Sequence, residues 1–508
     1  MHSPLQTLRS SCIFMTVMKQ IFYRSTNNRA EKADFETALL RGMAPDYGLY
    51  MVDRGDIPKL GMDAIRAMGP MSYGAIAFEV LRPYLWAEIP DAALAGLLDD
   101  AYREETIPTE VQRVTEDTSI MWLTKGPTYS FKDYAARFFG RILNYFLERR
   151  GLRRVVIVAT SGDTGGAVAH ALWGLSNVDN IVFFPKGAVS EGQRRQMTTL
   201  GGNVHAFEVK GDFDVCQALA KNLLGDRSFA EKAFGDADRL TSANSISLGR
   251  LLPQAVYPFF AYARVAADGR PIIASIPSGN FGDMMGTVIA KAMGLPLSRI
   301  ICGVNENREF PDFLYGNTYT VSASRRSPSS AMIVSHPSNL ARLVDFYGGH
   351  MVDERDPATG NVVRAGVIER MPDMEEMRRD LFSVSVDNPQ HYRTMKEVFG
   401  KYRIILDPHG SVGWRAVELY RSGGDPTEAV VYETADPGKF PDDVERAIGI
   451  VPDLPPGMER QKRLPERIHT LGAEPDTAAG AHSVSPGQIR EAKEKIADIF
   501  SGDRRQAT

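Results

Sequence analysis

The run from Val155 to Leu175, VVIVATSGDTGGAVAHALWGL, reads as strand, loop and helix in succession. Val155 to Ala159 are continuously apolar, as a parallel strand covered on both faces requires. Thr160 to Gly166 form a polar, glycine-rich turn, and Ala167 to Leu175 resume as a helix. The hydroxyls of Thr160, Ser161 and Thr164, with backbone N–H groups freed by the glycines, are expected to make a nest for a carboxylate or phosphate. The loop spells neither G-x-G-x-x-G nor a closing Gly-Lys-Ser/Thr, so dinucleotide and P-loop readings fail. Asp163 would also repel a pyrophosphate laid directly on it.

The same unit recurs downstream. Pro271 to Ile276 reads as a buried strand, Ser278 to Gly282 as the turn, and Met284 to Met293 as a helix. Gly279 and Gly282 would let the backbone approach an anion, with Ser278 and Asn280 as donors. Upstream lies Gly126-Pro127-Thr128-Tyr129-Ser130-Phe131-Lys132-Asp133. A lone lysine is ordinarily a solvated surface charge. Here Pro127 fixes a turn, and Tyr134 to Glu148 carry apolar residues at helical spacing, which puts Lys132 at a helix mouth. A helix N-terminus disfavours added positive charge, so this amine is suited to hold an aldehyde cofactor as a Schiff base.

Between these units, Thr241 to Arg250 (TSANSISLGR) sets Asn244 and Ser245 just ahead of an arginine whose planar fork matches a phosphate. The competing reading of Arg250 is a helix-surface charge on LLPQAVYPFFAYARV. Lys186, Arg194 and Arg195 read as a solvated basic face able to attract an anionic substrate. His409, in Asp407-Pro408-His409-Gly410, reads as a turn residue with a structural hydrogen bond.

The ordered set GPTYSFKD, ATSGDTGGAVAHA, SANSISLGRLLPQ, PSGNFGDMMG and DPHGSVG resembles threonine synthase, a pyridoxal-phosphate family of the tryptophan-synthase-β fold group. The resemblance runs from about Tyr23 to about Ile450. It implies an α/β, fold type II pyridoxal-phosphate enzyme, with two α/β domains around a cleft plus a mixed N-terminal domain. It implies a lyase that converts O-phospho-L-homoserine and water to L-threonine and phosphate by γ-elimination and β-addition. By the same resemblance, Lys132 forms the Schiff base with pyridoxal 5'-phosphate and Phe131 sits beside it. Gly279, Asn280, Phe281, Gly282 and Asp283 take the cofactor phosphate. Ser161, Asp163 and Thr164 face the cofactor hydroxyl and the substrate carboxylate. Asn244, Ser245 and Arg250 bind the substrate phosphate, and Thr434 lies near the pyridine nitrogen.

The chain departs from the family pattern at Lys125, at Ser247 to Gly249, at Asp436 to Phe440 and in the stretch Arg325 to Leu343. These departures keep a second reading open: a phospho-lyase or β-replacement enzyme, cysteate synthase-like, acting on O-phosphothreonine or O-phosphoserine. A third reading is a catalytically silent protein that keeps the fold, against which the intact lysine and both loops stand.

Expected boundaries are a disordered lead-in at 1–18, an N-terminal domain at 19–115, and a large cofactor-binding α/β domain from 116–150 and 241–450. A small α/β domain follows at 151–240, with an extension at 451–508 containing a linker over 472–486 and a terminal helix. A chain of 508 residues with net charge −4 has no electrostatic footprint for nucleic acid. No apolar run approaches the roughly 20 residues that span a bilayer. Cys12, Cys216 and Cys302 offer neither a disulfide framework nor zinc-ligand spacing, which points to the cytoplasm. The resemblance implies a small phosphorylated amino acid as partner, and these bulk properties add no expectation of metal, nucleic acid or membrane.

Overall fold

The structure, a computed structural model, describes residues 19–356, 362–478 and 481–501. The lead-in expected at 1–18 lies outside the described residues.

Two parallel sheets organise the molecule. The larger, six-stranded, runs in the order Leu381–Ser385, Leu297–Val304, Ile272–Pro277, Ala429–Glu433, Thr118–Trp122, Glu110–Arg113. All its neighbours are parallel except the edge strand Glu110–Arg113, which pairs antiparallel. Its inner strands are apolar on both faces because both faces are covered. Ile273, Ile301 and Val431 pack under the helices Asn388–Tyr402 and Pro408–Arg421, while Ala274, Ile300 and Val430 belong to the main core on the other side. That core carries the helices Lys132–Arg150, Val256–Val265 and Gly282–Ala292.

The second sheet is five-stranded, in the order Ile468–Leu471, Val204–Val209, Val178–Pro185, Arg154–Ala159, Leu240–Ser242, and is parallel throughout. Arg154–Ala159 and Ile272–Pro277 are the strands read from the two glycine-loop units, each displaced by one residue from its expected start. The helix read at 167–175 instead spans Asp163–Leu172, because it begins within the loop itself. Likewise, the expected helix at 134–148 spans Lys132–Arg150, so Lys132 is its first residue.

The C-terminal residues are part of the second sheet. Ile468–Leu471 adds to its edge, and Ala492, Ile496 and Phe500 join the core formed by Ile157, Phe183, Phe207 and Leu219. The helix Pro486–Ile499 starts with a capping box between Ser485 and Gln488. The Gln488 amide also donates to the Lys210 carbonyl at 2.7 Å. The stretch read as a linker over 472–486 contains a short antiparallel ladder, Asp476–Ala478 with Ala481–Ser483. Its Ala, Gly, Pro and Ser content hides that pairing.

A small antiparallel sheet, Lys32–Ala33, Tyr23–Ser25 and Tyr50–Val52, and the helices Tyr73–Leu85 and Asp91–Ala101 precede the two layers. They hold the Lys132 helix in place. Tyr73, Tyr102, Tyr134 and Tyr257 form a contiguous ring cluster with centroids 4.9–6.3 Å apart. Arg137 donates to the carbonyls of Asp100 and Ala101, the C-terminal end of a helix, where a cation is favoured.

If the terminal helix is integral to the second sheet, Ile496→Ala should destabilise that layer by about 2–4 kcal/mol through lost burial and a residual cavity. A urea unfolding midpoint equal to that of the parent would show the helix to be a dispensable appendage.

Candidate active site

The cleft between the two layers is lined by Lys132 and Phe131, by Ser161, Asp163 and Thr164, by Asn244, Ser245 and Arg250, by residues 279–283, and by Thr434. Every residue that the family resemblance assigned to the site therefore lines one space. Backbone geometry explains why. The Phe131 N–H donates to the Thr434 carbonyl at 2.9 Å, and Ser130 bridges Ala435, so the Lys132 turn and the Thr434 segment are stitched together. Tyr257 donates its hydroxyl to the Phe131 carbonyl at 3.0 Å.

The Lys132 amine lies 4.6 Å from the Phe131 ring centroid and 4.0 Å from Asp163 Oδ2. Burial lowers its pKa from the ordinary lysine value, against the pull of Asp163. Asp163 is itself held well below the usual carboxylate range. Burial alone would raise it, but Lys439 at 2.6 Å, then Lys132, outweigh that, with the Gln193 amide adding a hydrogen bond at 3.0 Å.

The two glycine loops differ from their sequence reading in which donors stay open. Thr160 Oγ1 accepts the N–H of Gly162 at 2.9 Å and of Gly165 at 2.8 Å. These groups shape the turn and are not left for an anion. Gly162 has φ 141°, a region closed to other residues, and an added Cβ would sit 2.5 Å from the Gln193 side chain. In the other loop, Ser278 donates its hydroxyl to the Ile276 carbonyl at 3.1 Å, so it is not a free donor either. Phe281 adopts φ 62° and caps the helix Gly282–Ala292, whose first N–H groups have no intrahelical acceptor. Gly279 is pressed by the opposite segment: a Cβ there would lie 2.7 Å from the Ala331 carbonyl oxygen.

Asp283, in that helix's first turn, is buried, and its Oδ2 has no partner. Burial pushes its carboxyl up to about 7, with the Met284 N–H and Lys132 pulling the other way. Protonation of Asp283, which burial favours, lessens the negative charge that would oppose an anion at this loop.

Arg250 is the complementary case. It is buried and donates Nη1–H to the Ala243 carbonyl at 2.6 Å, while its Nε is unpaired. Among the described residues no carboxylate ion-pairs with it. Burial pushes it down to about 10. The surface-arginine reading fails because the side chain is buried, and a buried cation without an ion pair is suited to an anion from outside the chain. The Asn244-Ser245-Ile246 turn is held by Arg342, which donates to the carbonyls of Ser245 at 3.2 Å and Ile246 at 2.6 Å. Arg194 and Arg195, read as a free basic face, are instead paired with Glu466, and Arg195 also with Glu191.

His409 lines the cleft with Nδ1 2.5 Å from Asp407 Oδ1 and Nε2 accepting the Ala331 N–H at 3.1 Å. Nε2 is thus an acceptor, so the proton sits on Nδ1, and the ring serves to anchor residues 331–334. Glu433, beside Thr434, is pushed well above the usual carboxylate range by burial and by Asp407.

Sequence reasoning passed over Lys439, Gln193, Arg342 and the apolar wall of Met332, Ile333, Val334 and Phe213. Lys439 stood in the segment Asp436 to Phe440, and Met332, Ile333, Val334 and Arg342 in the stretch Arg325 to Leu343, both noted as departures from the family pattern; Gln193 and Phe213 carry no local signal.

A buried amine with lowered proton affinity, an open helix N-terminus and a lone guanidinium around one cleft fit a phosphorylated aldehyde cofactor and an anionic substrate. Comparisons with known proteins agree. Family models described as threonine synthase N terminus, pyridoxal-phosphate dependent enzyme, and threonine synthase, C-terminal, match residues 22–102, 122–432 and 410–481. The chain is similar to threonine synthases of Pseudomonas aeruginosa (36% identical over 89% of this chain and 97% of the relative) and Escherichia coli (32%, 87% and 95%). Among solved structures, pyridoxal-phosphate-bound threonine synthase from Brucella melitensis superposes with TM-score 0.81 at 30% identity, covering 94% of this chain and 99% of the other.

The Asp283 environment sets a pH test. Its folded pKa lies above the unfolded carboxylate value near 3.9, so the unfolded chain loses this proton first and stability falls as pH rises from about 4 to about 7. Asp283→Asn removes that dependence. Its stability relative to the parent should rise between pH 5 and pH 8 by on the order of 1–3 kcal/mol, measured by denaturant unfolding of cofactor-free protein. A pH-independent gap would mean the carboxyl is ionised throughout.

Proposed function

The chain belongs to the threonine synthase family of pyridoxal-phosphate-dependent enzymes, and we propose that it converts O-phospho-L-homoserine and water to L-threonine and phosphate. The observation that carries the substrate reading is Arg250, a buried guanidinium without a carboxylate partner, lining the same cleft as the Lys132 amine. It supplies the site for a second anion, apart from the helix N-terminus at 281–283.

In this reading Lys132 would hold the cofactor aldehyde with Phe131 beside it, and Gly279, Asn280, Phe281, Gly282 and Asp283 would take its phosphate. Thr434 would offer a neutral hydroxyl to the ring nitrogen, and Asp163, Ser161 and Thr164 would serve the cofactor hydroxyl and the substrate carboxylate. The bound cofactor supplies an electron sink that acidifies the α- and then the β-carbon of an attached amino acid. With a substrate amino acid bound, the Lys132 amine would be the base for the α-proton and then the β-proton. Arg250, with Asn244 and Ser245, orients the γ-phosphate for departure. Protons would then return to the γ- and α-carbons as water adds at the β-carbon, which completes threonine with phosphate as the leaving group. The apolar wall of Met332, Ile333 and Val334 shields the site until that step.

The reading in which the substrate is O-phosphothreonine or O-phosphoserine is not favoured, because threonine synthases align with 84–90% of this chain. No helix among the described residues is long and apolar enough to cross a membrane. We place the activity in the cytoplasm, a compartment suited to Cys216 and Cys302, which are buried free thiols.

Incubation with O-phospho-L-homoserine should release threonine and phosphate in equal amounts. O-phosphothreonine and O-phosphoserine should yield neither keto acid nor, with sulfite, cysteate. The reverse pattern would replace this assignment.

Two substitutions probe the roles. Lys132→Ala should lower kcat by about 1000-fold or more with the circular dichroism spectrum unchanged, because covalent chemistry is lost and not packing. Arg250→Ala should lower kcat/KM by about 10- to 100-fold, the worth of a hydrogen bond to a charged group. Parent-like kcat/KM in that variant would remove Arg250 from the phosphate site.

A further inference from the structure

Lys439 has no place in the chemistry above, yet its side chain is fully buried and lies behind the cleft wall. Its ammonium makes two contacts. One is the ion pair of 2.6 Å with Asp163 Oδ1, and the other a hydrogen bond of 2.8 Å to the Thr128 carbonyl. Asp163 opens the helix on the second sheet, whereas Thr128 belongs to the turn that carries Lys132. Lys439 itself stands in the short turn Pro437–Lys439, which follows the strand Ala429–Glu433 of the larger sheet. A single cation thus joins three chain segments at the point where the two layers meet.

The carboxylate of Asp163 is divided between two amines. Its Oδ1 takes Lys439 and the Gln193 amide, and its Oδ2 faces Lys132 at 4.0 Å. Without a second cation, a buried carboxylate at this distance would draw a proton onto Lys132 and keep the amine unreactive. We propose that Lys439 is a positioning residue for Lys132, holding Asp163 and the Thr128 turn in place while cancelling the negative charge that would otherwise keep the Lys132 amine protonated.

The other charged groups around this pair do not replace it. Lys132 also faces Asp283, which favours its protonated form, and Arg250, which opposes it. Lys439 is faced as well by Asp133 and Asp436. Asp133 is engaged by the Thr128 N–H at 2.8 Å and hydroxyl at 2.6 Å, and Asp436 caps its own turn through the Gly438 N–H at 2.8 Å. Among the described residues, Asp163 alone lies within ion-pair distance of both lysines.

The inference rests on Lys132 being the cofactor-holding amine, and the test separates the two claims. Cofactor uptake at residue 132 of the parent is fixed with borohydride and located by peptide mass spectrometry. Failure there would sink the functional reading. The inference itself is read in the full-length, cofactor-free chain by competitive acetic-anhydride labelling across pH, which reports the titration midpoint of residue 132 alone. In Lys439→Met the midpoint should move up by about one pH unit or more, with a roughly tenfold slower cofactor uptake at neutral pH. In the double variant Asp163→Asn/Lys439→Met, which removes both charges, it should return to the parent value or below. An unshifted Lys439→Met, or a double variant whose midpoint stays raised, would overturn the proposal. If Lys439→Met does not fold, the double variant alone decides by the same criterion.

Discussion

The buried carboxylate of Asp163 is the constraint on which the site geometry depends. It opens a helix on one sheet and is gripped by Lys439, which follows a strand of the other. A carboxylate with so little exposure is tolerable only when paired, and breaking such a pair by removing one partner leaves an uncompensated charge. The two α/β layers are therefore coupled through their cleft as well as through their apolar packing. The proposed cofactor amine lies beside this junction, so its protonation depends on how the layers meet.

Around that junction, most polar groups are already committed. Thr160 consumes two glycine N–H groups of its own loop, Ser278 returns its hydroxyl to the strand before it, and His409 is fixed between Asp407 and Ala331. These bonds give the loops their shape. Among the groups left for a ligand are the first N–H groups of the helix Gly282–Ala292, the Arg250 guanidinium and the Lys132 amine. Rigid surroundings with a few free donors are what a cleft must offer if binding energy is to orient a small, doubly anionic substrate.

The supporting structure lies far from the cleft in sequence. Arg342 reaches back to the Ser245 and Ile246 carbonyls, and the tyrosines 73, 102 and 257 enclose Tyr134 of the Lys132 helix. The C-terminal helix completes the core beneath the strand that leads into the Asp163 loop. Each of these contacts joins segments that lie on different elements, and none has a local pattern to announce it.

What the sequence determined alone was local. Apolar runs such as 155–159 and 272–276 specify strands covered on both faces, glycine-rich turns specify where the backbone bends toward a ligand, and the order of the motifs specifies the family. These follow from steric and hydrophobic preferences acting over a few residues. Only the tertiary structure decided which donors stay open, that Arg250 is buried with no carboxylate ion pair among the described residues, that Lys439 shares Asp163 with Lys132, and that Ile468–Leu471 joins the second sheet while the helix Pro486–Ile499 packs on its core. Charge pairing and burial are properties of distances between remote segments, and a side chain carries no mark of the partner that packing will bring to it.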